Sequence, residues 1–207
     1  MSTRYLLVAD PVAALDPEFD LGVCVAAELI ARGIAVDYLD LLASDVDLPS
    51  DVYLARLPVR QILSSDAERD VFWELGDVRR ADVRDYRVIL QRKDPPVDDR
   101  FRAYCRHFEQ VPEDIVQINR PPATYQLSEH TVIQRYPEYA AKTFICNSLE
   151  EVVAAVRRMP KEAVLKPKST YCGIGVSFVA HDAPEDELEK YWQQWRPDVI
   201  VQQYLEA

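Results

Sequence analysis

A lysine, two hydroxyl side chains and two glycines follow one another closely in AVLKPKSTYCGIGVSFV, residues 163–179. The residues of this stretch that could contact a phosphate are Lys166, Ser169, Thr170, Gly173 and Gly175. Lysine supplies a positive point charge, hydroxyls donate hydrogen bonds, and glycine lets backbone N–H groups approach a ligand closely. The chain has only five glycines in 207 residues, against an average of about 7%. Their placement here therefore indicates a specific local requirement.

Three interpretations of this loop compete. A dinucleotide-binding fingerprint or a Walker loop needs a helix after the glycines, whereas GVSFV after this loop is typical of a strand. A plain hairpin whose turn requires glycine is compatible with the pattern. A strand–loop–strand flap that lays backbone N–H groups over a nucleotide's phosphates is equally compatible, and the loop alone leaves these two open.

A second group of charged residues follows strand-like segments in the first half of the chain. RVIL, residues 87–90, predicts a strand that ends near Arg92 and Asp94, and RYLLVA predicts a strand that ends at Asp10. Open α/β sheets bind ligands at the carboxyl ends of parallel strands, so we expect Asp10 and Arg92 at one edge of a sheet. A solvated turn is the alternative for such a charged loop.

The first part of the chain predicts an open parallel α/β sheet. A strand at Tyr5–Ala9, a helix over FDLGVCVAAELIARG capped by Asp20, and a strand in IAVDYLDL form a strand–helix–strand unit. A helix from Asp98 and a strand in DIVQIN follow. Residues 44–87 are ambiguous: DVYLARLPVRQI alternates like a strand pair with Pro58 at an edge or turn, and ERDVFWEL is compatible with a short helix.

Two consecutive prolines near residue 122 predict a boundary between an N-terminal domain, 1–122, and a smaller α+β domain, 123–207. The second domain predicts a short helix in SEHTVIQRY and strands in AKTFICN, AVLKP, GVSFVA and VIVQQYL. One helix begins with a capping box of Ser148 and Glu151, and another lies in the tryptophan-containing stretch before the last strand.

Composition excludes several classes of protein. The net charge of −11 argues against a nucleic-acid binder, because phosphate backbones need a basic surface. No apolar run approaches the length of a membrane span and no signal peptide is recognisable, so we expect no membrane association and a cytoplasmic location. The four cysteines and three histidines have no metal-ligand spacing, and no protein metal ligands are predicted.

Several short motifs together resemble the ATP-grasp ligases, and most strongly their bacterial glutathione synthetase branch. They are VADPV at the end of the first strand, RKDPP at 92–96, the Asn119-Arg120-Pro121 triplet, VLKP with the glycine loop, and QQYL at 202–205. RKDPP in this context is quite specific, whereas the others are individually weak. The matches occur in the family's order across almost the whole chain.

This resemblance implies a pre-ATP-grasp α/β domain followed by the first half of an ATP-grasp domain, with ATP and Mg²⁺ as cofactors. It implies that Lys166 contacts phosphate, that the glycine loop is the phosphate flap, and that Gln203, Tyr204 and Leu205 line the adenine pocket. Asp10, Arg92 and Asp94 would help to hold a small carboxylate or peptide-like acid. The family's acid and amine are γ-glutamylcysteine and glycine, although the chain's residues do not name either.

Two departures from the family pattern change the expectation. Where the family usually has a lysine that reaches phosphate, the triplet Ser128-Glu129-His130 places His130, which is shorter and mostly neutral. The acidic residues and asparagine that hold Mg²⁺ belong to the second ATP-grasp half, which we expect to be missing from residues 1–207. We therefore assign no catalytic residue and expect the chain alone to be inactive.

Three hypotheses remain open from the sequence. The chain is one half of a split ligase completed by another chain, a non-catalytic nucleotide-binding or interaction module that retains the fold, or a truncated fragment of a full-length ligase. Partners under the first hypothesis are ATP, a small acid and amine, and a complementary second-half chain.

Overall fold

The computed structural model describes residues 3–41, 47–66, 69, 71–93, 99–121, 123, 132–168, 170 and 173–206. The chain divides into two compact units, Met1–Gln126 and Leu127–Ala207, and each is described separately. None of the described helices is long and apolar enough to cross a bilayer.

The first unit is built on a six-stranded, mostly parallel sheet in the order β4-β3-β2-β1-β5-β6. Its strands are β1 (Arg4–Ala9), β2 (Ala35–Asp40), β3 (Leu57–Ser65), β4 (Trp73–Ala81), β5 (Val88–Arg92) and β6 (Val116–Ile118). The strands from β2 through β1 and β5 to β6 run parallel to one another, whereas β3 and β4 are antiparallel. The predicted open α/β sheet is therefore confirmed: four of its strands are parallel, and the antiparallel β3–β4 hairpin lies in the stretch that the sequence left ambiguous.

Helices cover both faces of this sheet. The α-helices whose bounds lie within the described residues are α1 (Leu21–Ala31), α2 (Ser50–Ala55) and α3 (Asp99–Phe108). The predicted cap is confirmed, because the Asp20 carboxylate accepts a 2.6 Å hydrogen bond from the Gly22 backbone N–H. The apolar stripe of α3 is also confirmed: it buries Phe101, Tyr104, Cys105 and Phe108.

Residues 50–81 differ from the two local interpretations of the sequence. The segment expected as a strand pair is a strand only from Leu57 onward, in β3, and it begins instead with α2, in which the adjacent residues Tyr53 and Leu54 are both buried. The segment expected as a short helix forms none in its described residues, and its last three residues, from Trp73, begin β4. The tertiary pairing of β4 with β3 overrides the local pattern. Pro58 is tolerated inside β3 because β2 pairs only with Arg60 and Gln61.

A fully buried aspartate connects four elements of the first unit. The Asp37 carboxylate on β2 accepts hydrogen bonds from Arg4 on β1 at 2.9 and 3.0 Å, from Arg79 on β4, and from the Tyr86 hydroxyl at 2.8 Å. Asp37 is 0% exposed. Burial, followed by the Asp37 charge, raises the pKa of Tyr86, so its hydroxyl remains a donor.

The second unit is a four-stranded antiparallel sheet in the order β7-β10-β8-β9. Its strands are β7 (Thr143–Cys146), β8 (Glu162–Pro167), β9 (Ser177–Ala180) and β10 (Val199–Gln203), and its helices are α4 (Leu149–Arg157) and α5 (Glu185–Trp195). Ser148 caps α4 by accepting from the Glu151 N–H at 3.2 Å, whereas the Glu151 carboxylate accepts from Asn147 rather than from Ser148. The short helix expected in SEHTVIQRY falls partly outside the described residues, and Val132–Gln134 forms one 3₁₀ turn.

Strand alternation gives the second sheet two different faces. One face packs against α4 and α5 in a single apolar cluster that contains Leu165, Val201, Val156 and Leu188. The alternate residues define the opposite face, which we call the open face. Its members include Thr143, Val164, Lys166, Phe178, Ile200 and Gln202, of which Val164 and Ile200 are buried.

Candidate functional site

Lys166 is a half-buried lysine on the open face whose partner is neutral. Its Nζ donates a 2.8 Å hydrogen bond to Oε1 of Gln202 on the neighbouring strand β10. Among the described residues, no carboxylate lies within ion-pair distance of Lys166, whereas Lys168 two residues later pairs with Asp198 at 3.3 Å. The Lys166 charge is therefore available to an anionic ligand.

Two aromatic rings meet on the same face of the sheet as Lys166. The Phe178 and Tyr204 ring centroids are 5.7 Å apart with an interplanar angle of 85°, an edge-to-face arrangement. Val164 on β8 is the cross-strand partner of both Phe178 and Gln202. The rings are 59% and 40% exposed, so they offer an apolar surface to a flat ligand.

The segment Gln203–Leu205 leaves the sheet next to these rings. The Gln203 N–H donates to the Lys142 carbonyl at 2.8 Å and the Tyr204 N–H donates to the Glu162 carbonyl at 3.2 Å. Hydrogen bonds to both flanking segments thus fix the backbone of the predicted adenine-contacting residues. Leu205 is 62% exposed.

The glycine loop joins β8 to β9, and two of its glycines have left-handed backbone conformations. Gly173 has φ +74° and Gly175 has φ +78°, which explains the requirement for glycine at both positions. The Thr170 hydroxyl donates to the Ile174 carbonyl at 2.8 Å, so it holds the loop's own turn. Ser169 lies outside the described residues, as do residues 171–172, and its predicted phosphate contact stays a prediction.

One end of this loop is packed against α5. The Tyr191 hydroxyl donates a 2.7 Å hydrogen bond to the Gly175 carbonyl, and burial raises the pKa of Tyr191, which keeps the donor protonated. A Cβ at Gly175 would lie 2.6 Å from Cγ of Pro167 and 2.8 Å from Cζ2 of Trp195. Gly175 therefore serves close packing, whereas a Cβ at Gly173 would meet nothing within 4 Å.

Replacing Gly175 by alanine is expected to lower the free energy of unfolding by about 2–4 kcal/mol, because the new methyl group overlaps Trp195 and Pro167 and φ is positive. Gly173→Ala is the matched control, with the same backbone strain and open space, and should cost about 1 kcal/mol. Urea unfolding followed by tryptophan fluorescence measures both. Equal losses in the two variants would contradict the packing role of Gly175.

The carboxyl ends of β1 and β5 bring together the charged residues of the first unit. Ala9 is opposite Arg92 in the parallel pair β1–β5, so Asp10 and Arg92 lie at the same edge, as expected. Asp10 forms an ion pair with Lys93, whose Nζ is 2.7 Å from Asp10 Oδ1, and both side chains are largely buried. The Tyr38 hydroxyl donates to the Asp10 carbonyl at 2.7 Å, and burial, with Asp40 and Asp10, raises the Tyr38 pKa.

Arg92 has donor capacity that the described residues do not use. Its Nε is buried and has no hydrogen-bond partner among them. The first turn of α1 is adjacent, because a Cβ at Gly22 would lie 3.7 Å from the Arg92 Cβ. A guanidinium beside a helix N-terminus favours an anion such as a carboxylate. Asp94 lies outside the described residues, so its predicted role stays a prediction.

The remaining predictions for the site concern His130 and the metal, and three further residues were not singled out from the sequence. His130 falls outside the described residues. Within the described part of the chain, no three His, Cys, Asp or Glu side chains converge to hold a metal ion, so these residues do not fit a Mg²⁺ site. Sequence reasoning missed Thr143, Phe178 and Gln202, although strand alternation with Lys166 and Tyr204 could have placed them on one face once the strand order was known.

The comparisons with known proteins agree with this fold. The family model described as prokaryotic glutathione synthetase, N-terminal domain, matches residues 3–124. The glutathione synthetase of Parasynechococcus marenigrum is 31% identical over 206 residues, which cover 98% of this chain and 64% of that protein. That of Prochlorococcus marinus is 28% identical over 208 residues, covering 99% and 64%.

A solved structure shows the same fold. A RimK-domain ATP-grasp protein from Sphaerobacter thermophilus superposes with a TM-score of 0.59 at 17% identity, over 99% of this chain and 65% of that one. The chain thus has an ATP-grasp type of fold and spans about 64% of the length of the curated relatives named above.

Proposed function

This chain belongs to the prokaryotic glutathione synthetase family, and we propose that it supplies the ATP-binding and acid-binding parts of an ATP-dependent carboxylate–amine ligase. In this proposal residues 1–122 form the pre-ATP-grasp domain and 123–207 the first half of the ATP-grasp domain. By analogy with the family, the acid is γ-glutamylcysteine and the amine is glycine.

The observation that carries the nucleotide part is the neutral partner of Lys166. A half-buried lysine that donates to an amide, with no carboxylate beside it among the described residues, can pair with a ligand phosphate. The exposed Phe178–Tyr204 pair and the hydrogen-bonded backbone of Gln203 and Tyr204 belong to the same sheet and suit a flat base. The glycine loop, with Ser169, Thr170, Gly173 and Gly175, would cover the phosphates, and His130 would lie near them.

The acid part of the proposal depends on the edge of the first sheet. Arg92, with its unused buried Nε, would bind the substrate carboxylate that is not activated. The Asp10–Lys93 pair is already satisfied at 2.7 Å, so it would hold the two strand ends in position rather than contribute a free charge. Asp94 would complete the contacts to the substrate's amino group.

The reaction proposed for the complete ligase has two steps. The acid's carboxylate attacks the γ-phosphorus of ATP, which gives an acyl phosphate and ADP, and the amine then attacks the acyl carbon and releases phosphate. The first step concentrates negative charge at the transferring phosphoryl group, where Lys166 and the loop N–H groups would stabilise it. The described residues do not fit Mg²⁺, so we propose that a second ATP-grasp half supplies its ligands, with cytoplasmic ATP as cosubstrate.

Loss of the Lys166 amine is expected to raise the Kd for ATP about 10- to 100-fold, because a charge-assisted hydrogen bond is lost. Calorimetric titration of the wild-type chain and Lys166→Ala measures this. Lys168→Ala is the matched control, since that lysine is paired with Asp198, and it should change the Kd less than about twofold. Equal effects of the two variants, or no ATP binding by the wild type, would refute the nucleotide site.

A second candidate is a nucleotide-binding module without ligase activity. The observation in its favour is that no metal-binding group of acidic side chains lies within the described part of the chain. Both candidates predict ATP binding, and only the ligase proposal predicts turnover once a second half is present.

A further inference from the structure

A continuous series of hydrogen bonds connects Lys166, on the interior strand β8, to the edge strand β7. Lys166 Nζ donates to Gln202 Oε1 at 2.8 Å, Gln202 Nε2 donates to Thr143 Oγ1 at 2.9 Å, and Thr143 Oγ1 donates to the Ala141 carbonyl at 2.7 Å. The chain crosses from β8 over β10 to β7. No residue in it other than Lys166 belongs to the predicted nucleotide site.

The direction of every hydrogen bond in this chain is determined by its two ends. An ammonium group has only donors, so the Gln202 carbonyl oxygen must face Lys166 and the Gln202 NH₂ must face Thr143. The Ala141 carbonyl has only acceptor capacity, so the Thr143 hydroxyl donates to it and presents a lone pair to Gln202. Thr143 therefore holds the Gln202 amide at its other end, so that both of its neighbours disfavour a flip that would present an NH₂ to Lys166.

Every group in this series of hydrogen bonds is electrically neutral except Lys166. Gln202, Thr143 and the Ala141 carbonyl orient the ammonium with dipoles and leave its charge uncompensated. A carboxylate at position 202 would make the same contact but would neutralise Lys166. Orientation without neutralisation is the arrangement that an anion-binding lysine requires.

We infer that Thr143 and Gln202 are positioning residues that hold Lys166 toward the phosphates of a bound nucleotide. This inference rests on the proposed function for the identity of the ligand, but the hydrogen-bond chain itself belongs to the free protein. Thr143 acts two strands away from Lys166 and only through Gln202.

The decisive variants are Thr143→Val, which keeps the shape but removes the hydroxyl, and Thr143→Ser, which keeps the hydroxyl. Thr143→Val should raise the Kd for ATP about 3- to 10-fold and leave the Kd for adenosine, which has no phosphate, unchanged. Thr143→Ser should restore the wild-type value. Gln202→Glu should weaken ATP about tenfold or more by neutralising Lys166 while sparing adenosine.

A second measurement needs no nucleotide. The ¹⁵N NMR signal of the Lys166 ammonium should be detectable in the wild type, because its hydrogen bond to Gln202 slows proton exchange, and should be broadened in Thr143→Val. If the wild type binds no ATP, the proposed function fails. The Lys166 ammonium signal then decides by itself whether Thr143 positions Lys166. An unchanged signal in Thr143→Val, or equal weakening of ATP and adenosine, would overturn it.

Discussion

Incubated alone with ATP, Mg²⁺, γ-glutamylcysteine and glycine, the 207-residue chain is expected to release phosphate no faster than a blank. Within the described residues no acidic group could hold the metal, and without that charge the transferring phosphoryl group loses several kcal/mol of stabilisation. A loss of about 4 kcal/mol already corresponds to a roughly thousandfold slower reaction. The contacts proposed for Lys166 and the loop are not expected to compensate for such a loss.

Addition of a second half should restore turnover. A suitable polypeptide is the part of the Parasynechococcus marenigrum synthetase that this chain, which spans 64% of that protein, does not match. A coupled ADP assay would then show activity that Lys166→Ala abolishes and Lys168→Ala preserves. Lys166-dependent turnover by the chain alone would contradict the split-site proposal. ATP binding without turnover in the mixture would favour the non-catalytic module.

Replacement of Asp37 by alanine is expected to destabilise the first unit by about 3 kcal/mol. Removing one partner of a buried ion pair typically costs about 3–5 kcal/mol, because the opposite charges are left without compensation. The side chains of Arg4 and Arg79 are 26% and 39% exposed, so water can solvate them partly, and the lower end of that range applies. Tyr86 would also lose the acceptor of its buried hydroxyl.

Native-state hydrogen exchange of the β1 and β2 amides would measure this loss without interference from the second unit. Asp77→Ala is the matched control, because Asp77 is an exposed acid on β4, and its effect should stay within about 0.5 kcal/mol. A similarly small effect for Asp37→Ala would contradict this prediction, because it would mean that the ion pairs and hydrogen bonds of Asp37 only offset the cost of burying its charge.

Local sequence signals predicted the elements whose boundaries depend on local chemistry. The Asp20 cap, the stripe of α3 and the two strands that end at Asp10 and Arg92 all follow from residues close together in the chain. The same reasoning failed for Trp73, because β4 exists only through its pairing with β3, including the 3.0 Å hydrogen bond from the Trp73 indole to Ser65. Which strand β4 pairs with cannot be read from the local sequence around Trp73.

The candidate site divides in the same way. Lys166, Gly173 and Gly175 were recognisable from residue type and spacing, and the positive φ angles of both glycines agree with the pattern. The hydrogen bonds of Lys166 to Gln202 and of Gln202 to Thr143 were not predictable, because they require β10 to lie between β7 and β8. Likewise, the edge shared by Asp10 and Arg92 was predictable, but the pairing of Asp10 with Lys93 was not.

The buried Asp37 also has a consequence for the order in which the first unit folds. Its partners are 33, 42 and 49 residues away along the chain, so each contact closes a long loop and loses considerable chain entropy. Local structure such as α1 and the β3–β4 hairpin can form before any of these contacts exists. A half-assembled sheet would hold an aspartate that is buried without all of its donors. The Asp37 carboxylate therefore stabilises only the complete arrangement of β1, β2, β4 and the Tyr86 segment. It destabilises compact intermediates in which one of these elements is misplaced.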